Sequence, residues 1–201
     1  MRITHTVQQV EELGGYELVA ADPAWEYEQK GRGAAENHYS TMTVKDVQAL
    51  PVPRIAAKNA VLFLWGTWPQ LPVVLATMNS WGFVFKTCAF VWVKYHDPSG
   101  KRCVGGGMWT RANTEFCLLG VRGDPPRRVS KAVRQLIETD EEDKLLLAPR
   151  QEHSAKPPEA RERMVELMGD IPRIELFARG PHIPGWDQWG NECESDIDLT
   201  V

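Results

Sequence analysis

Tyr16-Glu-Leu-Val-Ala-Ala21, followed at once by Asp22-Pro23-Ala24-Trp25, is the stretch that decides the fold. Apart from Glu17 the first six residues are an unbroken apolar run, opened by Gly14-Gly15 and closed by an Asp-Pro turn. A run this short, apolar on alternate and intervening positions alike, reads as a strand buried on both faces, the kind found in parallel sheets. Working outward, similar strands are expected at 59–65, 83–94, 114–121 and 173–178. Helices are expected between them. One covers 43–50, capped by Thr43 and stopped by Pro51 and Pro53. A second enters through Thr67 and Pro69 and carries Leu71, Val74, Leu75 and Met78 near helical spacing. A third opens at Pro157-Pro158 and ends at Gly169. Between 129 and 148 the pattern allows a strand at 132–138 or at 144–148, and 182–191 reads as a loop. Strands alternating with helices predict an α/β fold, with a mostly parallel central sheet and helices on both faces.

The chain has 201 residues and a mass of 22.7 kDa, a length that fits one domain. Its 43% hydrophobic and 25% charged residues exclude a disordered tail or a fibrous repeat. No apolar run reaches the roughly 18 residues of a membrane span, and Met1-Arg2-Ile3-Thr4-His5 has no signal-peptide core, so a soluble, cytoplasmic protein without a membrane partner is expected. Cys88, Cys103, Cys117 and Cys193 form no CxxC pair, and no metal site is expected. The net charge of −4 is unevenly spread. Residues 94–134 hold nine bases against three acids, whereas 138–143 holds five acids and 192–198 four, each without a base. Such segregation suits a polyanion met on one face or, equally, a solvated charged surface. The acidic stretch 193–201 is expected to be a frayed tail.

In open α/β sheets ligands bind beyond the carboxyl ends of the strands, which is where Asp22 falls. An Asp-Pro after a strand is often only a turn, but here Trp25 and Tyr27 follow, then a polar, glycine-bearing loop that reaches Tyr39. The Asp22-Pro-Ala-Trp25 stretch resembles the Asp-Pro-Pro-aromatic motif of methyltransferases acting on the adenine amino group, and specifically the MT-A-seventy family. Asn37-His-Tyr39-Ser-Thr-Met42, Leu62-Phe-Leu-Trp65, Phe90-Val-Trp-Val-Lys94, Glu115-Phe-Cys-Leu-Leu-Gly120, His153-Ser-Ala-Lys-Pro157, Ile174-Glu-Leu-Phe-Ala-Arg179 and Gly185-Trp186 with Gly190-Asn191 resemble family blocks in the family's order. Each block is weak alone; the ordered set spans residues 16–192.

The resemblance implies a Rossmann-like S-adenosylmethionine-dependent methyltransferase fold with permuted motif order, as a single domain over 1–192. It implies that Asp22 and the backbone carbonyl of Pro23 accept the two hydrogens of adenine's exocyclic amine, and that Trp25 stacks on the flipped base. Ala24 departs from the family's second proline, which removes a restriction on Pro23 but leaves its carbonyl in place. The resemblance further assigns Lys156 to the carboxylate of the cofactor's methionine moiety. It places Asp22, Arg179, His182, Asn191 and Glu192 around the rest of S-adenosylmethionine. Tyr27, Tyr39, Trp65, Lys94, Trp109, Arg111 and Glu115 are expected on the substrate side, with Trp65 and Trp109 readable as core instead. Lys30, Arg32, Arg102, Arg127 and Arg128 are candidate phosphate contacts. Glu175 reads as structural or as a support for a neighbour.

The expected activity is methyl transfer to adenine N6 in nucleic acid. DNA is favoured over RNA because a lone short domain resembles bacterial and phage members. A non-catalytic nucleic-acid-binding partner of the same fold is the main alternative. Assembly as a homodimer or a paired subunit is left open by the sequence.

Overall fold

The computed structural model describes residues 4–24, 42–96, 101–102, 109–139 and 156–199. Trp25, Tyr27, Tyr39, Lys30 and Arg32 lie outside the described residues, as does most of the acidic segment 138–143. In chain order the elements are β1 (His5–Thr6), α1 (Val7–Glu12), β2 (Tyr16–Ala21), α2 (Val44–Ala49), α3 (Val52–Ile55) and β3 (Ala56–Gly66). A 3-10 turn at Trp68–Gln70 leads into α4 (Leu71–Ser80), then β4 (Val84–His96), β5 (Lys101–Arg102), β6 (Thr114–Arg122) and β7 (Leu136–Thr139). The chain ends with α5 (Pro158–Met168), β8 (Arg173–Leu176), β9 (Asp187–Trp189) and β10 (Ile197–Asp198).

Eight strands form the central sheet in the order β5-β4-β6-β3-β2-β8-β9, with β7 also on the outer edge of β4. β2 lies parallel to β3 and to β8, β8 to β9, and β4 to β7. β6 runs antiparallel to both β3 and β4, and β5 antiparallel to β4, so six of the eight strands share one direction. The sheet is mostly parallel as expected, with β6 as its long reversed strand.

Both faces are covered, which is why β2 is apolar at nearly every position. Val19 and Ala21 pack with Val7, Val10, Val47, Ile55, Val74 and Met78 from α1 to α4. Leu18 and Ala20 turn the other way, into a layer with Phe63, Phe90 and Ala160, Met164 and Met168 of α5. Trp81 is fully buried on the first face and keeps its one polar atom satisfied, the indole N–H donating to the Val47 carbonyl at 3.0 Å. Thr43 caps α2 as expected, its hydroxyl accepting from the Asp46 N–H. Gly169 ends α5 at φ 86°.

α5 is pinned to the sheet by charge as well as by packing. Arg161 donates from Nε and Nη2 to the two carboxylate oxygens of Glu175, at 2.8 and 2.9 Å. Glu175 sits inside β8 and is 9% exposed, so Arg161→Met would leave a buried carboxylate without its partner. The expected loss is about 3–5 kcal/mol of stability, read from the urea midpoint, and the double variant with Glu175→Gln should recover part of it.

Three expectations are corrected. The stretch 182–191 is not all loop, since β9 lies within it and extends the sheet beside β8. The acidic end is not frayed through residue 199: His5–Thr6 pairs with Ile197–Asp198, Ile197 and Leu199 are buried, and Asp196 accepts from the Gln188 N–H at 2.9 Å. The alternating Ile197 and Leu199 outweigh the charge around them. The basic stretch is not one face either. β6 carries the chain from the carboxyl ends of β2 and β3, where Arg111 precedes it, to their amino ends, beyond which Arg127 and Arg128 are exposed. Arg122, at the end of that strand, is spent on the Pro53 carbonyl at 2.6 Å. Of the two strands allowed between 129 and 148 the first forms, as β7; 144–148 lies outside the described residues.

Candidate active site at the carboxyl ends of the strands

β2 and β3 are in register with Ala21 opposite Leu64, so Asp22 leaves its strand level with Trp65. Strand residues two apart share a face. Asp22 therefore follows Ala20, Trp65 follows Phe63, and Glu115 stands with Cys117, all toward the face covered by α5. The chain entering α5 brings Lys156 onto that same rim. Its ammonium donates to Asp22 Oδ2 at 2.7 Å, lies 3.1 Å from Glu115 Oε2, and sits 5.5 Å from the centre of the Trp65 ring. An opposite charge on either side and an aromatic face below hold the cation in a largely buried position.

The electrostatics of this group are lopsided, with two carboxylates around one ammonium. Burial raises the Asp22 carboxyl above its ordinary value, Glu115 pushes the same way, and Lys156 and Arg179 only partly offset them. Burial works against the Lys156 ammonium, but Asp22 and Glu115 together outweigh it and keep that group protonated beyond the ordinary lysine range. The result is a fixed cation beside a carboxylate that is more basic than usual.

Alongside lies an open cleft lined by Ala24, Met42, Phe177, Ala178, Arg179, Trp189, Gly190, Asn191 and Glu192. It opens where β2 has β3 on one side and β8 on the other, the point at which connections leave the sheet in opposite directions and ligands enter α/β folds. Its apolar wall is the edge-to-face pair Phe177 and Trp189, ring centres 5.4 Å apart. Phe177 adopts φ 64°, a conformation that costs a side-chain-bearing residue about 1–3 kcal/mol and clusters at functional sites. Gly190 has no room for a side chain, since a Cβ there would collide with the Ala178 carbonyl. Glycine thus lets β8 and β9 close on each other through the Ala178 N–H, which donates to the Trp189 carbonyl at 2.9 Å. Beyond it Arg179 and Glu192 face each other, Nε to Oε2 at 3.7 Å.

The expected residues divide by place. Asp22, Trp65, Glu115 and Lys156 come together, while Arg179, Asn191 and Glu192 line the adjoining cleft. His182 does not line it. It lies 3.4 Å from Asp196 and borders a separate depression with Tyr16, Arg173, Trp186 and Asp187. Trp65 is buried, and Trp109 is 99% exposed, so the core reading is excluded for Trp109 alone. Arg111 is exposed, and Lys94 pairs in register with Thr139. The sequence assigns no role to Phe177, Ala178 or Met42; the first two follow β8 directly and Met42 stands just before α2, positions that composition does not reveal.

Residues 16–192 match the MT-A70 family model, from the first residue of β2 to the far wall of the cleft. The chain belongs to the MT-A70 family. Among similar proteins is the type II methyltransferase M.MunI of Mycoplasma sp, 33% identical over 198 residues, covering 88% of this chain and 77% of that one. The N(6)-adenosine-methyltransferase MT-A70-like protein of Arabidopsis thaliana is 29% identical and the human N(6)-adenosine-methyltransferase catalytic subunit METTL3 28% identical. Each covers 90% of this MT-A70 chain, which spans only 24% and 29% of their lengths. Among the described residues no helix is long and apolar enough to cross a membrane.

Proposed function

We propose that this chain transfers a methyl group from S-adenosylmethionine to the N6 amine of adenine in nucleic acid, DNA foremost, in the cytoplasm. The observation that carries the reading is the part-buried Asp22 carboxylate at the tip of β2, fixed by Lys156 and opening beside the cleft. M.MunI, matched over most of its length, favours DNA over RNA.

The residues present fit the cofactor. Phe177 and Trp189 offer an apolar wall to its adenine, and Asn191 and Glu192 offer an amide and a carboxylate to ribose hydroxyls. Lys156 has three N–H donors, of which Asp22 and Glu115 engage two; among the described residues the third is left for a carboxylate. Arg179 lines the same cleft. The cofactor supplies an electrophilic methyl on a sulfonium; the protein supplies alignment.

An adenine amine is a weak nucleophile because its lone pair is delocalised into the ring. Asp22 accepts one amine hydrogen on the oxygen that Lys156 leaves open, and the Pro23 carbonyl accepts the other. With both hydrogens held, the nitrogen lone pair is directed out of the ring plane. When that nitrogen gains a methyl it must shed a proton, and a carboxylate made basic by burial is the group in contact with it. Trp25 would stack on the base.

Activity should therefore fall in acid. Asp22 must be ionised to accept, and its carboxyl is raised above the ordinary carboxylate range, so the rate is lost as pH falls through that raised value. A pH–rate profile flat down to pH 4 on folded protein would contradict this. The function itself is tested by incubating purified protein with S-adenosylmethionine and adenine-containing DNA or RNA, then quantifying N6-methyladenine by mass spectrometry. Product on DNA is expected. Product on RNA alone would reassign the substrate, and none on either would leave the non-catalytic reading.

A further inference from the structure

We propose that Trp68 is a stacking platform for a base flanking the target adenine, an inference that rests on the nucleic-acid reading above. Trp68 follows β3 at the same end of the sheet as Asp22, three residues beyond Trp65. It is 49% exposed, although it is the largest kind of apolar side chain. It is also held still. The indole N–H donates to Thr114 Oγ1 at 2.8 Å, and the ring meets Phe116 edge-on, centres 4.9 Å apart at 62°. Tryptophan left in water ordinarily gains nothing from being clamped, whereas a ring fixed in advance loses little rotamer freedom when a ligand stacks on it.

The ring shares an end of the sheet with the chemistry rather than a face. Thr114 opens β6 and stands on the same side as Phe116, whereas the next residue, Glu115, turns to the opposite face, where it engages Lys156, which engages Asp22. Five residues before Thr114 stands Trp109, almost wholly exposed, with exposed Arg111 between them. Exposed aromatic rings and a guanidinium, one ring after β3 and the others in the segment that leads into β6, are what a single strand of nucleic acid uses: faces for bases and a cation for phosphate. The ligand is thus a nucleobase of the substrate strand next to the one withdrawn into the site, bound without reading its identity.

The test is fluorescence anisotropy with labelled, adenine-containing single-stranded and duplex DNA, for the wild-type protein, Trp68→Ala and Trp68→Phe. Calorimetry with S-adenosylhomocysteine reports the fold and the cofactor cleft. Trp68→Ala should bind DNA about tenfold more weakly, Trp68→Phe should retain most of the affinity, and both should bind S-adenosylhomocysteine as the wild type does. Unchanged DNA affinity in Trp68→Ala would overturn the inference alone, as would a lost self-association at constant DNA affinity. So would a Trp68→Phe variant as weak as the alanine one, or loss of cofactor binding in step with DNA, since either marks a structural role. A wild-type protein that binds no nucleic acid would overturn the functional reading and this inference with it.

Discussion

Asp22→Asn is expected to lower kcat/KM for N6 methylation about a thousandfold, within the range for losing one preorganised charged acceptor. The asparagine amide has nearly the same shape but turns one acceptor into a donor. One of its two faces must then oppose either the Lys156 ammonium or the adenine amine, both of which are donors. Cofactor affinity should change little, because the cleft walls other than Ala24 and Met42 come from Trp189 of β9 and the residues that follow β8 and β9. Stability should hold or rise, since the substitution removes a charge whose burial is unfavourable. Product mass spectrometry, calorimetry and a thermal melt on one preparation separate these effects. A variant that is inactive only because it unfolds would count against the assignment.

Lys156→Met carries the second large effect, and on the fold rather than the chemistry alone. It leaves Asp22 and Glu115 as two largely buried carboxylates with no cation between them. Breaking a buried charge group by removing one partner costs about 3–5 kcal/mol. The pH dependence identifies the cause. Like charges raise a carboxyl's folded-state pKa above its unfolded value, so the folded variant holds protons the unfolded chain has released. Its stability is then retained in acid and lost as pH rises through the raised value. The deficit against wild type should be small near pH 4 and full above neutrality, measured by urea unfolding across that range. A deficit independent of pH would mean that Lys156 acts through packing on Trp65 and not through charge.

Much of this was legible from residues 16–25. A run apolar on both sides of the strand can only be satisfied between two layers, and the fold supplies them, with α1 to α4 on one face and α5 on the other. Asp22 was legible as a strand-end acid, and Lys156 and Glu115 were each picked out. Their meeting was not, because 41 residues separate them and the contact depends on how β6 and α5 lie across the sheet. The direction of β6 was hidden for a related reason: an apolar strand reads alike forwards and backwards. That reversal sends Arg127 and Arg128 to the far end of the sheet while leaving Arg111 near the site, which a count of charges along the chain cannot show. β9 and β10 are three and two residues long, too short for a periodicity, and their placement rests on Gln188, Asp196 and Ile197 packing inward. Trp68 lies between Thr67 and Pro69 at the expected helix entry, and spacing alone does not tell an exposed ring from a buried one.

The most direct test is a crystal structure with S-adenosylhomocysteine and an adenine-containing oligonucleotide. The cofactor product should lie against Phe177, Trp189, Asn191 and Glu192, with adenine N6 within hydrogen-bond reach of both the Asp22 carboxylate and the Pro23 carbonyl. An adenine whose amine faces other groups, or a cofactor product bound away from this cleft, would contradict the account.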